Sequence, residues 1–134
     1  MLITEQLPQV ALNKMNEIHN KEAEVINELY QAIEEKDVDK VDKLFKEFIK
    51  DVQEHFAYEQ AQMEKYNFFA YPIHISEHDM ILQQLSRLEK EWEKTKDINL
   101  IKAYLEGEFL PWIINHINTM DAVTAGYLAQ FIKE

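Results

Sequence analysis

The stretch VDKLFKEFIKDVQEHFAYEQAQ, residues 41–62, carries Val41, Phe45, Phe48, Val52, His55, Glu59 and Gln62 at alternating spacings of four and three. That period puts all of them on one face of an α-helix. The first four are apolar, as a core-facing stripe requires. The last three are not. One stretch therefore shows both that the chain is helical and that polar groups interrupt its core face.

The same period extends to both sides. The block from about Pro8 to Lys36 carries Leu12, Met15, His19, Glu22, Ile26, Leu29 and Ile33. Pro8 is expected at its entry, where a missing N–H costs little. Asp37 is expected to cap the block around residues 41–62, which ends near Tyr66-Asn67. Pro72 marks the boundary before a third block with His74, His78, Ile81, Leu85, Leu88 and Trp92. The fourth starts near Asp97 and carries Ile98, Ile101, Leu105, Phe109, Trp112, His116 and Met120. Pro111 inside it predicts a kink or local break near Glu108. Tyr127, Leu128, Phe131 and Ile132 are expected in a short extra turn against the rest. Four helical blocks with short connections predict an all-α, up-down-up-down antiparallel four-helix bundle, a single domain over residues 1–134.

Composition excludes several alternatives. With 2 Gly and 3 Pro in 134 residues, the chain lacks the turn-formers of a sandwich or barrel. It has no cysteine, which removes disulfides, zinc-thiolate sites, iron–sulfur clusters and thiol nucleophiles together. A net charge of −11 repels phosphate backbones and anionic lipid, so neither nucleic acid nor a membrane is an expected partner. No apolar run approaches the roughly 18 residues of a membrane span. Met1-Leu2-Ile3-Thr4-Glu5-Gln6 has neither the basic nor the apolar region of a signal peptide, so the cytoplasm is the expected location. The Glu/Lys-rich run Glu89–Lys96 reads as a solvated helix face, and the tyrosines as packing.

All 5 histidines, His19, His55, His74, His78 and His116, fall on core faces, together with Glu59. A buried carboxylate needs a partner. The seams offer Glu59 no Lys or Arg at a facing position. The spacings are those of metal ligands. His55 and Glu59 are i and i+4, and so are His74 and His78, which can chelate one ion. His116 and Asp121 are five apart, about 140° around a straight α-helix. They can share a centre only if the helix bends, loosens or carries a π-bulge. Each helix then contributes to one level of the bundle. Seven ligands exceed the needs of one ion and suit two six-coordinate ions, with Glu59 and Asp121 as the natural bridges. A nitrogen-rich, sulfur-free set suits iron among the redox metals.

The ordered set resembles the hemerythrin family, whose pattern is a lone His, then His-x-x-x-Glu, His-x-x-x-His and His-x-x-x-x-Asp. Here these are His19, His55-Phe-Ala-Tyr-Glu59, His74-Ile-Ser-Glu-His78 and His116-Ile-Asn-Thr-Met-Asp121. Trp112 and Ile113 resemble the bulky residues beside that family's oxygen pocket. The chain departs from many members at Asn16-Glu17-Ile18, where they carry Asp-x-Gln. The resemblance implies two non-haem irons, Fe2+ or Fe3+, bridged by Glu59, Asp121 and an oxo or hydroxo group. It implies that His74, His78 and His116 bind one iron and His19 and His55 the other, which keeps an open position for dioxygen. The function implied is reversible dioxygen binding for storage, delivery or sensing, without catalysis. The alternative is a di-iron oxidase or peroxidase acting on oxygen or peroxide.

Overall fold

The computed structural model describes residues 7–134, so the reading of Met1–Gln6 lies outside the described residues. Helix α1 is Asn13–Glu34, α2 is Val38–Lys65 and α3 is Tyr71–Thr95. The fourth helix, α4, runs over residues 98–128. Within it, π-helical turns at Leu105–Phe109 and Ile117–Asp121 interrupt α-helical pieces. There is no strand among the described residues. The helices form an antiparallel four-helix bundle in which α1 packs on α2 and α4, and α3 on α2 and α4.

Two of the boundaries expected from the sequence are where the caps stand. Asp37 accepts a hydrogen bond from the Lys40 amide at 3.2 Å, and Asp97 from the Asn99 amide at 2.9 Å. Pro72 sits in the first turn of α3. Pro8 is different. It lies ahead of α1 rather than at its entry, because Asn16 takes Val10 out of the helix. The Asn16 side chain accepts from the Val10 amide at 2.9 Å and donates to its carbonyl at 3.0 Å. Buried Leu7 and Leu12 anchor the two ends of that non-helical segment. The open amides of Asn13 and Lys14 are satisfied by the Glu134 carboxylate, at 2.8 and 2.9 Å.

Pro111 falls just after the first π-turn, which is the local break expected near Glu108. A π-turn removes the hydrogen bond that proline would otherwise leave unmade. Tyr127 and Leu128 continue α4 instead of forming a separate turn. Leu128 is buried against Leu12, Met15 and Ala125, and the Tyr127 hydroxyl donates to the Tyr66 carbonyl at 2.7 Å. Only the following residues turn, with Phe131 stacked on Tyr66.

The core is in two parts. The larger contains Phe45, Phe48, Trp92 and Phe109; the smaller is Leu12, Met15, Ala125 and Leu128. The polar layer of histidines and carboxylates lies between them in sequence on α1 and α4.

Candidate metal centre

α1 supplies His19, α2 supplies His55 and Glu59, α3 supplies His74 and His78, and α4 supplies His116 and Asp121. The structure brings all seven together, each buried to within 2% of complete. The four-residue spacings on α2 and α3 turn each pair toward the same side. On α4 the second π-turn does the same over five residues. In a π-turn residue i+5 sits over residue i, so Asp121 comes under His116 without a break in the helix.

Each carboxylate divides its oxygens between two groups of histidines. Glu59 Oε1 lies 3.1 Å from His74 Nε2 and 3.2 Å from His78 Nε2. Its Oε2 lies 2.6 Å from His55 Nε2 and 3.9 Å from His19 Nε2. Asp121 Oδ1 lies 3.1 Å from His74 Nε2 and 3.2 Å from His116 Nε2. Its Oδ2 lies 3.1 Å from His19 Nε2. Two overlapping donor groups result: His74, His78 and His116 with both carboxylates, and His19 and His55 with both carboxylates. Within each group the donor atoms lie within 4.8 Å of one another.

These atoms satisfy one another poorly. Glu59 Oε1, both Asp121 oxygens, both His19 nitrogens and both His78 nitrogens are buried without a hydrogen-bond partner. The Nε2 atoms of His74 and His116 face each other at 3.1 Å. Convergent, buried, mutually unsatisfied donors of this kind fit a pair of metal ions. Without a metal, charge is balanced by protons. Burial alone would lower the His55 imidazole, but Glu22 and Glu59 raise it well above the ordinary 6.5. Burial also opposes protonation of His74, yet Asp121 and Glu59 raise it to about 9. Burial would push the Glu59 carboxyl up, and the His55 charge holds it well below its ordinary value. For Asp121, burial and the Glu59 charge push upward, and contacts with His116, His19 and His74 outweigh them. For His78 burial prevails: it lowers the imidazole despite the contact with Glu59, and the neighbouring His74 and His116 charges add to it.

Outer partners orient three of the rings, as is usual for metal-binding imidazoles. Glu22 contacts His55 Nδ1, Glu77 lies 2.7 Å from His116 Nδ1, and Thr124 Oγ1 lies 2.7 Å from His74 Nδ1. Sequence reasoning did not assign these three. Glu22 had left a signal, since it stands on the apolar seam of α1. Glu77 and Thr124 left none, because neither stands on an apolar seam and only the packing of the helices brings them to the rings. Phe56 stacks on His78 with ring centroids 3.8 Å apart, and Trp112 on His116 at 4.3 Å.

A small apolar cavity of about 10 Å³ abuts His19, walled by Leu7, Glu22, Ala23, Ile26, Phe109 and Ile113. Of the two residues expected beside an oxygen pocket, Ile113 lines this cavity. Trp112 does not; its ring covers His116 instead.

Bundle and cluster together define a class: a helical protein with a buried histidine–carboxylate centre able to hold metal. The family model for the hemerythrin HHE cation binding domain matches residues 10–128. The chain belongs to the hemerythrin family. It is 35% identical over 114 residues to a bacteriohemerythrin of Aquifex aeolicus, covering 85% of this chain and 87% of that one. It is 25% identical over 104 residues to a bacteriohemerythrin of Pseudomonas aeruginosa, covering 78% of this chain and 66% of that one. No solved structure gives a significant match. No helix among the described residues is long and apolar enough to cross a membrane.

Proposed function

We propose that residues 1–134 form one hemerythrin-like domain that binds dioxygen reversibly at two non-haem irons, for storage, delivery or sensing. The observation that carries this reading is the division of the Glu59 and Asp121 oxygens between the two histidine groups. A carboxylate facing two donor sets is placed to bridge two ions. His74, His78 and His116 would hold one iron, and His19 and His55 the other, with Glu59, Asp121 and an oxo or hydroxo group shared. Irons held there would supply the electrons that dioxygen takes up on binding and returns on release.

The protein side of the function is position and dryness. With three histidines on one side and two on the other, an ion held by His19 and His55 would have one protein donor fewer than its neighbour. The apolar cavity abuts His19, on that same side. Its volume, about 10 Å³, is near the lower limit for one small molecule. Ile113, Ile26 and Ala23 offer water no hydrogen bond there, and water exclusion slows loss of bound oxygen as a reactive product. Trp112 and Phe56 hold the His116 and His78 rings against rotation by stacking on them.

Metal analysis paired with visible spectroscopy tests this reading. Aerobic protein should contain two irons per chain and show an absorption band that fades under vacuum and returns with air. Steady oxygen or peroxide consumption without a retained band would make the protein an oxidase or peroxidase. A single iron per chain would remove the bridging roles of Glu59 and Asp121.

A further inference from the structure

Two spaces adjoin the His19–His55 side of the centre, one reaching His19 and the other His55. One is the apolar cavity already described. The other is a solvent-open cleft of about 260 Å³ between α1 and α2. Charged groups stand along this cleft beside Ile18 and Tyr58: Lys21, Asp51 and Glu54 line it with Glu22 and His55, and Lys21 Nζ lies 3.5 Å from Asp51 Oδ1. Asp51 is almost buried in that wall, whereas the Lys21 ammonium beside it is open to solvent, so the cleft carries a charged group that holds water. Among the described residues, the cavity has only His19 and Glu22 as polar walls. Glu22 alone among the described residues lines both spaces. It lies one turn beyond His19 on α1, is 3% exposed, and is pinned by its contact with His55 Nδ1.

We propose that Glu22 is the partition between these spaces, a specificity-determining residue whose bulk keeps water and small anions of the cleft out of the dry cavity beside His19. Neutral apolar diatomic molecules reach the cavity through the packed apolar side, whereas hydrated species stop at Glu22. The sequence supports the arrangement, since a glutamate on an apolar seam is retained where its body faces the core and its head faces a polar partner. Shortening the side chain joins the two spaces; removing its charge alone does not. This inference rests on the di-iron reading only for which ion the cavity serves.

The test compares the parent protein with Glu22→Gln, Glu22→Asp and Glu22→Ala. Gln fills the same space without the charge. Asp keeps the charge on a side chain one methylene shorter. Azide, a small anion with affinity for ferric iron, is mixed with the oxidised protein and its association followed by stopped-flow absorbance. Glu22→Gln should associate within about twofold of the parent, and Glu22→Asp and Glu22→Ala about tenfold faster or more. The same ranking is expected for exchange of the His19 ring N–H with heavy water, read by NMR in the zinc-loaded protein, which needs no iron chemistry. If Glu22→Ala loses metal, the Asp and Gln variants decide the matter between them. Asp and Ala variants as slow as the parent overturn the partition. So does a Gln variant as fast as Ala, since charge rather than bulk would then exclude the anion. Iron content and the oxygen-dependent band of the parent are recorded first. Their absence sinks the oxygen-binding reading, and the zinc-form exchange still decides the partition.

Discussion

At the scale of single residues, the structure shows what a polar group must find before it can stay in a core. Glu59 is tolerated because four histidines converge on it, and the Trp92 indole because of Asp42. Trp92 is fully buried, and its Nε1 donates to Asp42 Oδ1 at 2.7 Å. That bond, with help from Lys46 and Lys96, holds the Asp42 carboxyl below its ordinary 3.8. The sign follows. A carboxylate depressed in the folded state adds stability that is complete above 3.8 and disappears as the pH falls through the folded value. Asp42→Ala leaves a buried donor unmet and should cost about 1–3 kcal/mol at neutral pH. Asp42→Asn keeps an acceptor and should cost less. In thermal melts the gap between parent and Asp42→Ala should be flat from neutral pH to about 5 and close below 4, in the range of the ordinary value. A gap that widens on acidification would mean that the ion pair is not what Asp42 contributes.

At the scale of elements, the two π-turns and the three interhelix connections carry the information. Every connection turns on a non-glycine residue at positive φ: Lys36 at 57°, Asn67 at 52° and Lys96 at 49°. This is how a chain with 2 glycines builds a four-helix bundle, and it holds a little strain. Lys36 is exposed, so Lys36→Gly should raise stability by about 0.5–1 kcal/mol, read from the denaturation midpoint. Asn67→Gly should give less, because asparagine tolerates that conformation. The π-turn at Ile117–Asp121 makes a stronger test. It is an α-helix with one residue added, so removing exposed Asn118 should restore α-geometry and leave His116 and Asp121 on one face at the commoner spacing of four. The deletion variant should keep its full metal content, measured after reconstitution. Loss of half the metal would show that the bulge sets something finer than the direction of Asp121. The need for such a bulge was legible in the five-residue spacing of the pair, as the helix order and the caps at Asp37 and Asp97 were in the apolar period. Pro8 misled, because proline marks where a helix can start and not where it does. What settled the start was Asn16 binding Val10, a contact between residues six apart that no periodicity encodes.

At the scale of the whole molecule, the bundle is two hydrophobic clusters joined through a polar layer, and this decides how it behaves without metal. Six residues of the layer were legible because each breaks an apolar seam, and Asp121 through its five-residue spacing from His116, whereas Glu77 and Thr124 sit in the layer's outer shell through packing alone. The apolar clusters draw the helices together whether or not metal is bound, with Phe45, Phe48, Trp92 and Phe109 all essentially inaccessible. The layer opposes them. Its histidines and carboxylates are buried at full desolvation cost, and the facing Nε2 atoms of His74 and His116 must share a proton or repel. Metal ions replace those protons and turn an unsatisfied layer into a set of bonds from all four helices, so binding energy becomes folding energy. A ligand held at a thousandfold above its dissociation constant stabilises by about 4 kcal/mol. For a chain of this length that corresponds to a melting shift of about 10 °C or more. Chelated protein should therefore retain nearly all its far-ultraviolet helical signal at 25 °C, melt at least that much earlier, and recover on adding two equivalents of ferrous iron anaerobically. At one equivalent, a single transition of intermediate temperature would mean that the two ions bind independently. Two transitions, one of apo protein and one of fully restored protein, are the outcome that shared carboxylates predict, because Glu59 and Asp121 cannot meet their requirements until both sides are filled.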